Sequence, residues 1–138
     1  MRMRITSLDE KQLSSCVANN IWGSNRNIFN NWETGDILVF CINKEIAAAA
    51  KVSGSLVVTG EPIWDNGLFP WRLPLNFTHY FEPGNRIPFQ GDIRDTFVDL
   101  YGKRYGYVFL NKFIIKAKPA DIIWEKITSS TNNMCCRE

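Results

Sequence analysis

The most regular apolar pattern of the chain lies in its first third and predicts a strand hairpin. Residues 37–42 are apolar at every position, which is typical of a central strand covered on both faces. Residues 45–52 are predicted to pair with it, through a tight Asn43-Lys44 turn that lacks the usual glycine. The alanines within 45–52 favour a helix by propensity, but the run is short and uncapped, so a strand is predicted.

Further strands are predicted on both sides of this hairpin. They cover residues 2–6, 55–59, 71–81 and 107–116. Pro74 cannot donate to a strand ladder, so it places its strand at a sheet edge or at a bulge. The segment GEPIWDNGLFP, at 60–70, is rich in turn-forming residues, so Trp64 and Leu68 are expected on irregular chain.

Three helices are predicted from 3.6-residue periodicity and end signals. The first follows Ser7, because Ser7 and Glu10 have the spacing of a capping box. Its buried stripe is predicted to contain Leu13, Cys16, Val17 and Ile21, and Trp22-Gly23 marks its exit into irregular chain. The second helix covers residues 91–100, with Ile93, Phe97 and Leu100 facing inward, and the third follows Pro119 and ends near Ile127.

The order of these elements predicts the fold class. Hairpin-like links indicate an α+β domain with a curled, mainly antiparallel sheet and short helices. A chain of 138 residues with 45% hydrophobic residues can build one core, so one domain is expected over residues 1–127. Residues 128–138, TSSTNNMCCRE, lack periodicity and are expected to form a disordered tail.

The charge of the chain is nearly balanced, at a formal net +2. Any contact with phosphate groups must therefore come from a local patch, and the candidates are the loop cations Arg26, Lys103 and Arg104. Surface solubility is the alternative explanation for all three. The longest apolar run is far too short to cross a bilayer, so a soluble, cytoplasmic protein without a membrane partner is expected.

Residues that could support catalysis are sparse. The cysteines have no zinc-site spacing and are expected to be reduced; they are Cys16, Cys41, Cys135 and Cys136. His79 is the only histidine, and its FTHYF context is that of an ordinary strand position. One helix could present Asp92, Asp95 and Asp99 to a metal ion, but a solvated acidic face is the favoured explanation. We expect no metal, no cofactor and no catalytic residue.

Two of the five tryptophans are candidates for binding a flat ligand. Trp22 and Trp64 each lie in a predicted irregular segment close to glycine, where a ring can face a cavity, and packing in the core is the alternative. The other three follow periodic patterns and are predicted to be core residues; they are Trp32, Trp71 and Trp124.

The order of several short segments resembles an EVE/YTH-type domain of the PUA-like superfamily. These segments are NIWGS at 20–24, GDILVF at 35–40, AAAAKV at 47–52, IW at 63–64 and GLFPWR at 67–72. The resemblance covers residues 3–127 and implies a PUA-like fold, in which the curled sheet forms a small barrel flanked by short helices. Prokaryotic members of this kind stand alone or form the DNA-reading head of Mcr-type, modification-dependent restriction GTPases.

The resemblance implies roles for six residues around a modified base. Trp22 and Trp64 match the two walls of an aromatic cage, and Leu68 falls at a third, variable wall. Ser7 and Gln12 lie near positions that read the base edge, and Gly23 occupies the place of a carbonyl that accepts the exocyclic amine hydrogen. Eukaryotic members often carry Asn or Asp where this chain has Gln12, which leaves the identity of the base open.

The sequence therefore supports a non-catalytic module that binds DNA or RNA through a modified base, either N6-methyladenine or a modified cytosine. A restriction or RNA-processing protein is a possible partner under this hypothesis. The alternative is a small-molecule sensor that holds a free nucleobase or nucleotide in the same pocket. Cations at the pocket mouth favour the polymer, and a mouth without cations favours the small ligand.

Overall fold

The computed structural model describes residues 2–25, 28–63, 69–110 and 112–129. Within these residues the chain forms seven strands and four helices. The strands are β1 Met3–Ser7, β2 Ile21–Ser24, β3 Ile37–Ile42, β4 Glu45–Val52, β5 Val57–Val58, β6 Trp71–Tyr80 and β7 Ile87–Pro88. The helices are α1 Glu10–Asn19, α2 Asp92–Tyr101, α3 Gly106–Leu110 and α4 Ala117–Thr128, so α4 takes in the first residue of the expected tail.

The strands form one curled, mixed sheet in the order β1-β3-β4-β6-β2, with β5 also paired to β6 and β7 to β4. The β1–β3 pair is parallel and every other pair is antiparallel. β6 pairs with β2 through its first four residues and with β4 through its remaining residues, so the sheet bends into a half-barrel along this strand. The predicted α+β class and the mainly antiparallel, curled sheet are confirmed.

The central hairpin has the predicted bounds, and its turn explains how the chain reverses without glycine. Asn43 and Lys44 both adopt left-handed backbone angles, with φ of 49° and 64°. Such angles are those of the turn whose twist matches a two-residue hairpin, and asparagine tolerates them well. The four alanines at 47–50 are fully buried, because cores cover both faces of the sheet.

Two sequence predictions on local structure differ from the structure. Pro74 lies inside β6 and not on an edge strand, but it pairs only with Ile21 of β2, because the β5 ladder ends at Arg72 and the β4 ladder begins at Leu75. The β4–β6 register shift falls at Thr78. The segment predicted as a last strand, 107–116, contains α3 followed by irregular chain. Tyr105, Val108 and Phe109 have i, i+3, i+4 spacing and pack toward the core, so a helical stripe was mistaken for a strand.

The cap of α1 also differs from the prediction. Ser7 ends β1, and Asp9 caps the helix. The Gln12 N–H donates to Asp9 Oδ1 at 2.7 Å, and the Asp9 N–H donates to Gln12 Oε1 at 3.1 Å. The capping box is thus shifted by two residues along the chain, and Ile21, predicted to lie on the helix stripe, belongs to β2.

We expect Asp9→Ala to lower the free energy of unfolding by about 1 kcal/mol, because it removes the acceptor for a helix N-terminal N–H group. Ser7→Ala is the matched control and is expected to change it by less than about 0.5 kcal/mol. Urea denaturation followed by circular dichroism measures both values. A larger loss for Ser7→Ala than for Asp9→Ala would contradict the Asp9 cap.

Candidate nucleic-acid interface

An open cleft of about 700 Å³, here called the Trp22 cleft, brings together the end of β1, α1, β2 and the segment after α3. Four of the six residues predicted to contact a base line it, namely Ser7, Gln12, Trp22 and Gly23. The predicted cage residues Trp64 and Leu68 lie outside the described residues. The structure therefore places the described members of the predicted set around one concave surface.

Trp22 is held more firmly than its sequence context indicates. It lies in β2 opposite Leu73 and not in irregular chain, and it is only 8% exposed. The Trp32 ring stacks on it, with centroids 5.5 Å apart and an angle of 16° between planes. Phe29 meets it edge-on at 5.5 Å. Trp32, predicted as a core residue, thus supports a ring that also lines the cleft.

Behind Trp32 lies an ionic cluster that the sequence pattern did not predict. The Arg4 guanidinium lies over the Trp32 ring, 4.4 Å from its centroid, and donates to Asp36 Oδ2 at 2.6 Å. Arg2 Nε donates to the other carboxylate oxygen at 2.8 Å. Arg4 and Asp36 are each 3% exposed, so this ion pair fixes the segment that carries Trp32.

The Asp36 carboxyl experiences opposing effects on its pKa. Burial raises it, but hydrogen bonds from Arg2, from the Glu33 N–H and from Arg4 lower it by more, so the pKa lies below its ordinary value. Asp36 therefore stays ionised at neutral pH. The signal in the sequence was the alternation of Arg2 and Arg4 along a strand, together with a carboxylate directly before the neighbouring parallel strand.

A small pocket close to α1 shares Gln12, Trp22, Gly23 and Phe69 with the cleft. It has a volume of about 30 Å³ and is lined by Leu8, Gln12, Cys16, Trp22, Gly23 and Phe69. Gln12 therefore has two roles in the structure, since it closes the capping box and also borders this space. The Phe69 N–H donates to Asn25 Oδ1 at 3.2 Å, which ties the chain after the 64–68 segment to the cleft rim.

The cation in the wall of the cleft is Lys112, which was not among the predicted phosphate-binding residues. Its Nζ lies 5.5 Å from the Trp22 ring centroid and donates to the Leu110 carbonyl at 3.2 Å. Lys103 and Arg104 lie on the exposed turn between α2 and α3, and Arg26 is outside the described residues. Lys112 was missed because its segment, 107–116, was predicted to be a strand.

The histidine considered for catalysis is a buried strand residue. His79 lies in β6, is 5% exposed and meets the Trp124 ring edge-on at 5.6 Å. Burial lowers its pKa, so the imidazole is neutral at neutral pH.

In the part of the chain that the structure describes, no three His, Cys, Asp or Glu side chains are grouped to hold a metal ion. None of the described helices has the length and apolar content that a bilayer crossing requires.

The comparison with solved structures decides the fold type. The Mmi1 YTH domain superposes on the chain with a TM-score of 0.66 at 12% identity, over 92% of this chain and 75% of that domain. The chain has a YTH-type fold. No protein-family model matches the chain, and no curated protein matches its sequence.

Two complexes show the same YTH-type fold. The YTH domain of Zygosaccharomyces rouxii MRB1, in complex with N6-methyladenosine RNA, superposes with a TM-score of 0.59 at 13% identity, over 95% of this chain and 89% of that one. The Pho92 YTH domain in complex with m6A superposes with a TM-score of 0.59 at 11% identity, over 96% of this chain and 87% of that one. The fold expected from the resemblance is confirmed at the YTH level, and the narrower EVE assignment stays a prediction.

Proposed function

We propose that this chain is a non-catalytic module that binds nucleic acid and holds a modified base in the Trp22 cleft. The observation that carries the proposal is the placement of Trp22, a rigidly supported ring, in the wall of an open cleft within a YTH-type fold. Solved neighbours with this fold bind N6-methyladenosine RNA and m6A, which favours N6-methyladenine over a modified cytosine and RNA over DNA.

The chemistry of the cleft supports a base as the ligand. Stacking a base on an aromatic ring contributes roughly 1–3 kcal/mol, and a ring already fixed by Trp32 and Phe29 loses little freedom on binding. The Ser7 hydroxyl and the Gln12 amide supply polar groups for the base edge. Trp64 and Leu68 are proposed as the remaining walls, and the Gly23 carbonyl as an acceptor.

The cleft also has the charge that a nucleic-acid strand requires. Lys112 Nζ lies over the Trp22 ring, and its long side chain can move the ammonium to the phosphate of a nucleotide whose base stacks on that ring. Arg26, Lys103 and Arg104 are proposed to extend this contact along the strand. A restriction or RNA-processing protein remains the proposed partner, since a single weakly basic module binds a strand only modestly.

A binding panel tests the function. Short RNA and DNA strands that differ at one position, carrying adenine, N6-methyladenine, cytosine or 5-methylcytosine, are titrated with the protein and followed by fluorescence anisotropy. We expect one modified strand to bind at least about tenfold more tightly than its unmodified form, which corresponds to about 1.4 kcal/mol. Equal affinity for all strands would refute the proposal. Binding of free nucleosides without any gain for strands would favour the small-molecule sensor.

We expect Lys112→Gln to weaken the binding of modified and unmodified strands alike, because a phosphate contact is independent of the base. The slope of log K against log salt concentration should become shallower by about 0.7–0.9, the amount expected when a single phosphate is no longer neutralised. The double variant Lys103→Gln, Arg104→Gln is measured beside it. Slopes that change only in the double variant would place the phosphate contacts on the α2–α3 turn and contradict the role of Lys112.

A further inference from the structure

A second cavity, here called the α3 cavity, adjoins the Trp22 cleft and has a volume of about 450 Å³. Four residues line both spaces, namely Thr6, Ser7, Leu110 and Lys112. Because these walls are shared, a group in one space lies about one side chain away from a group in the other. The two spaces are close enough to be filled by consecutive parts of one ligand.

One wall of the α3 cavity is aromatic. Phe89, Tyr105 and Phe109 form a cluster whose ring centroids are 5.2–5.8 Å apart. The volume falls within the range of roughly 300–1,000 Å³ that small-ligand pockets have. Stacking on such rings accepts any of the four bases, since each base has an apolar face. The wall therefore suits a planar ligand without strict sequence preference.

The α3 cavity is also lined by two buried, uncharged residues of the sheet and by two lysines. Thr6 and Cys41 are each 3% exposed, and burial raises the pKa of the Cys41 thiol to about 12, so the thiol carries no charge. Lys44 and Lys112 supply the charge, and none of the described residues that line this cavity has a carboxylate. The Phe89 N–H donates to the Lys44 carbonyl at 2.8 Å, which holds Lys44 beside the aromatic wall.

From this arrangement we propose that the α3 cavity takes the base of the nucleotide next to the modified one. Lys112, common to both spaces, contacts the phosphodiester that joins the two nucleotides, and Lys44 contacts the next phosphate. This inference rests on the proposed function, because it requires a strand whose modified base occupies the Trp22 cleft. Under this inference the protein binds at least two adjacent nucleotides, and the second nucleotide binds with similar affinity whichever base it carries.

Dinucleotides provide the direct test. Every probe carries the modified base selected by the panel, which we expect to be N6-methyladenine. The probes are the modified nucleoside, two dinucleotides with uridine on its 5′ or 3′ side, and the same two dinucleotides with an abasic ribose in place of uridine. Isothermal titration calorimetry measures their affinities. We expect one dinucleotide to bind at least about tenfold more tightly than its abasic form, because the abasic form keeps the phosphate and lacks the stacked base.

A variant with a larger side chain in the α3 cavity tests whether the gain in affinity from the second base arises there. Gly106 lines the α3 cavity, has no left-handed backbone requirement, and a side chain added there meets open space. Gly106→Leu is expected to remove the difference in affinity between the uridine and abasic dinucleotides. The affinity for the modified nucleoside, which does not reach the α3 cavity, is the reference for each variant. Ala117→Leu is the matched control, because it adds the same side chain at the exposed first residue of α4, and it should keep the gain.

The outcomes separate the two proposals. Preference for the modified base with equal binding of uridine and abasic dinucleotides refutes the second-base site and leaves the proposed function intact. A gain that survives in Gly106→Leu also refutes the site, because the second base then stacks elsewhere. Absence of any preference for a modified base in the panel refutes both proposals.

Discussion

Trp22→Ala is expected to abolish the preference for a modified base and also to lower the free energy of unfolding by about 3–5 kcal/mol. The loss of stability follows from burial, since the Trp22 ring packs against Trp32 and Phe29 as well as lining the cleft. A domain of this size has about 5–15 kcal/mol of total stability, so the variant keeps only part of it. Urea denaturation and the binding panel measure the two effects.

A second variant separates stacking from packing. Trp22→Leu keeps an apolar side chain in the core and removes the flat face, so it should lose the base preference with a smaller loss of stability than alanine causes. Trp71→Leu, at a half-buried position of β6 outside the cleft lining, is the control and should keep the preference. A Trp22→Leu protein that still discriminates modified from unmodified strands would show that Trp22 is only a core residue.

Asp36→Ala is expected to destabilise the protein by about 3–5 kcal/mol, because it leaves the Arg4 guanidinium buried without its carboxylate partner. The effect should reach the cleft, since Arg4 contacts Trp32 and Trp32 stacks on Trp22. Asp95→Ala, at an exposed position of α2, is the control and should lie within about 0.5 kcal/mol of the parent. Equal urea midpoints for the two variants would contradict this role.

The same carboxylate predicts a dependence on pH. The pKa of Asp36 is lower in the folded protein than the value of about 3.9 in an unfolded chain. Its contribution is therefore complete above about pH 4 and is lost as the pH falls through the folded pKa. The urea midpoint of Asp36→Asn should fall less between pH 5 and about pH 2 than that of the parent.

Other titrating groups do not obscure this comparison. The hydrogen bond from Arg86 lowers the pKa of Glu10, and burial lowers that of His79. Both groups are present in the parent and in Asp36→Asn, so their contributions cancel in the difference between the two curves. Parallel curves for the two proteins would show that Asp36 does not contribute to acid stability.

Short-range sequence patterns predicted the strands and helices whose structure depends mainly on neighbouring residues. The hairpin of residues 37–52 was predicted with its bounds because a continuous apolar run, a polar dipeptide and a second apolar run leave little choice of register. α2 followed from the helical spacing of Ile93, Phe97 and Leu100, and α4 from the start signal of Pro119, although α4 begins two residues before that proline. The prediction for the segment 107–116 failed because its own apolar residues fit a strand or a helix, and the helical stripe begins outside it, at Tyr105. In the structure α3 packs against β1.

The candidate site was predictable only in part, for a related reason. Ser7, Gln12, Trp22 and Gly23 came from one continuous stretch, 7–23, whose resemblance to a known pattern is local. The contacts of Arg4 with Asp36 and Trp32, and of Lys112 with Trp22, join residues far apart in the chain. No periodicity reports such pairs, so they became visible only with the fold.

The alanine run of β4 has a consequence for how this protein tolerates variation. All four side chains are fully buried in a sheet with a packed layer on each face. Each larger side chain there would have to push one layer away, which costs about 1–3 kcal/mol per overpacked site. In a saturation library selected for folding, residues 47–50 should therefore be depleted of substitutions as strongly as the large core residues, although alanine itself buries little surface.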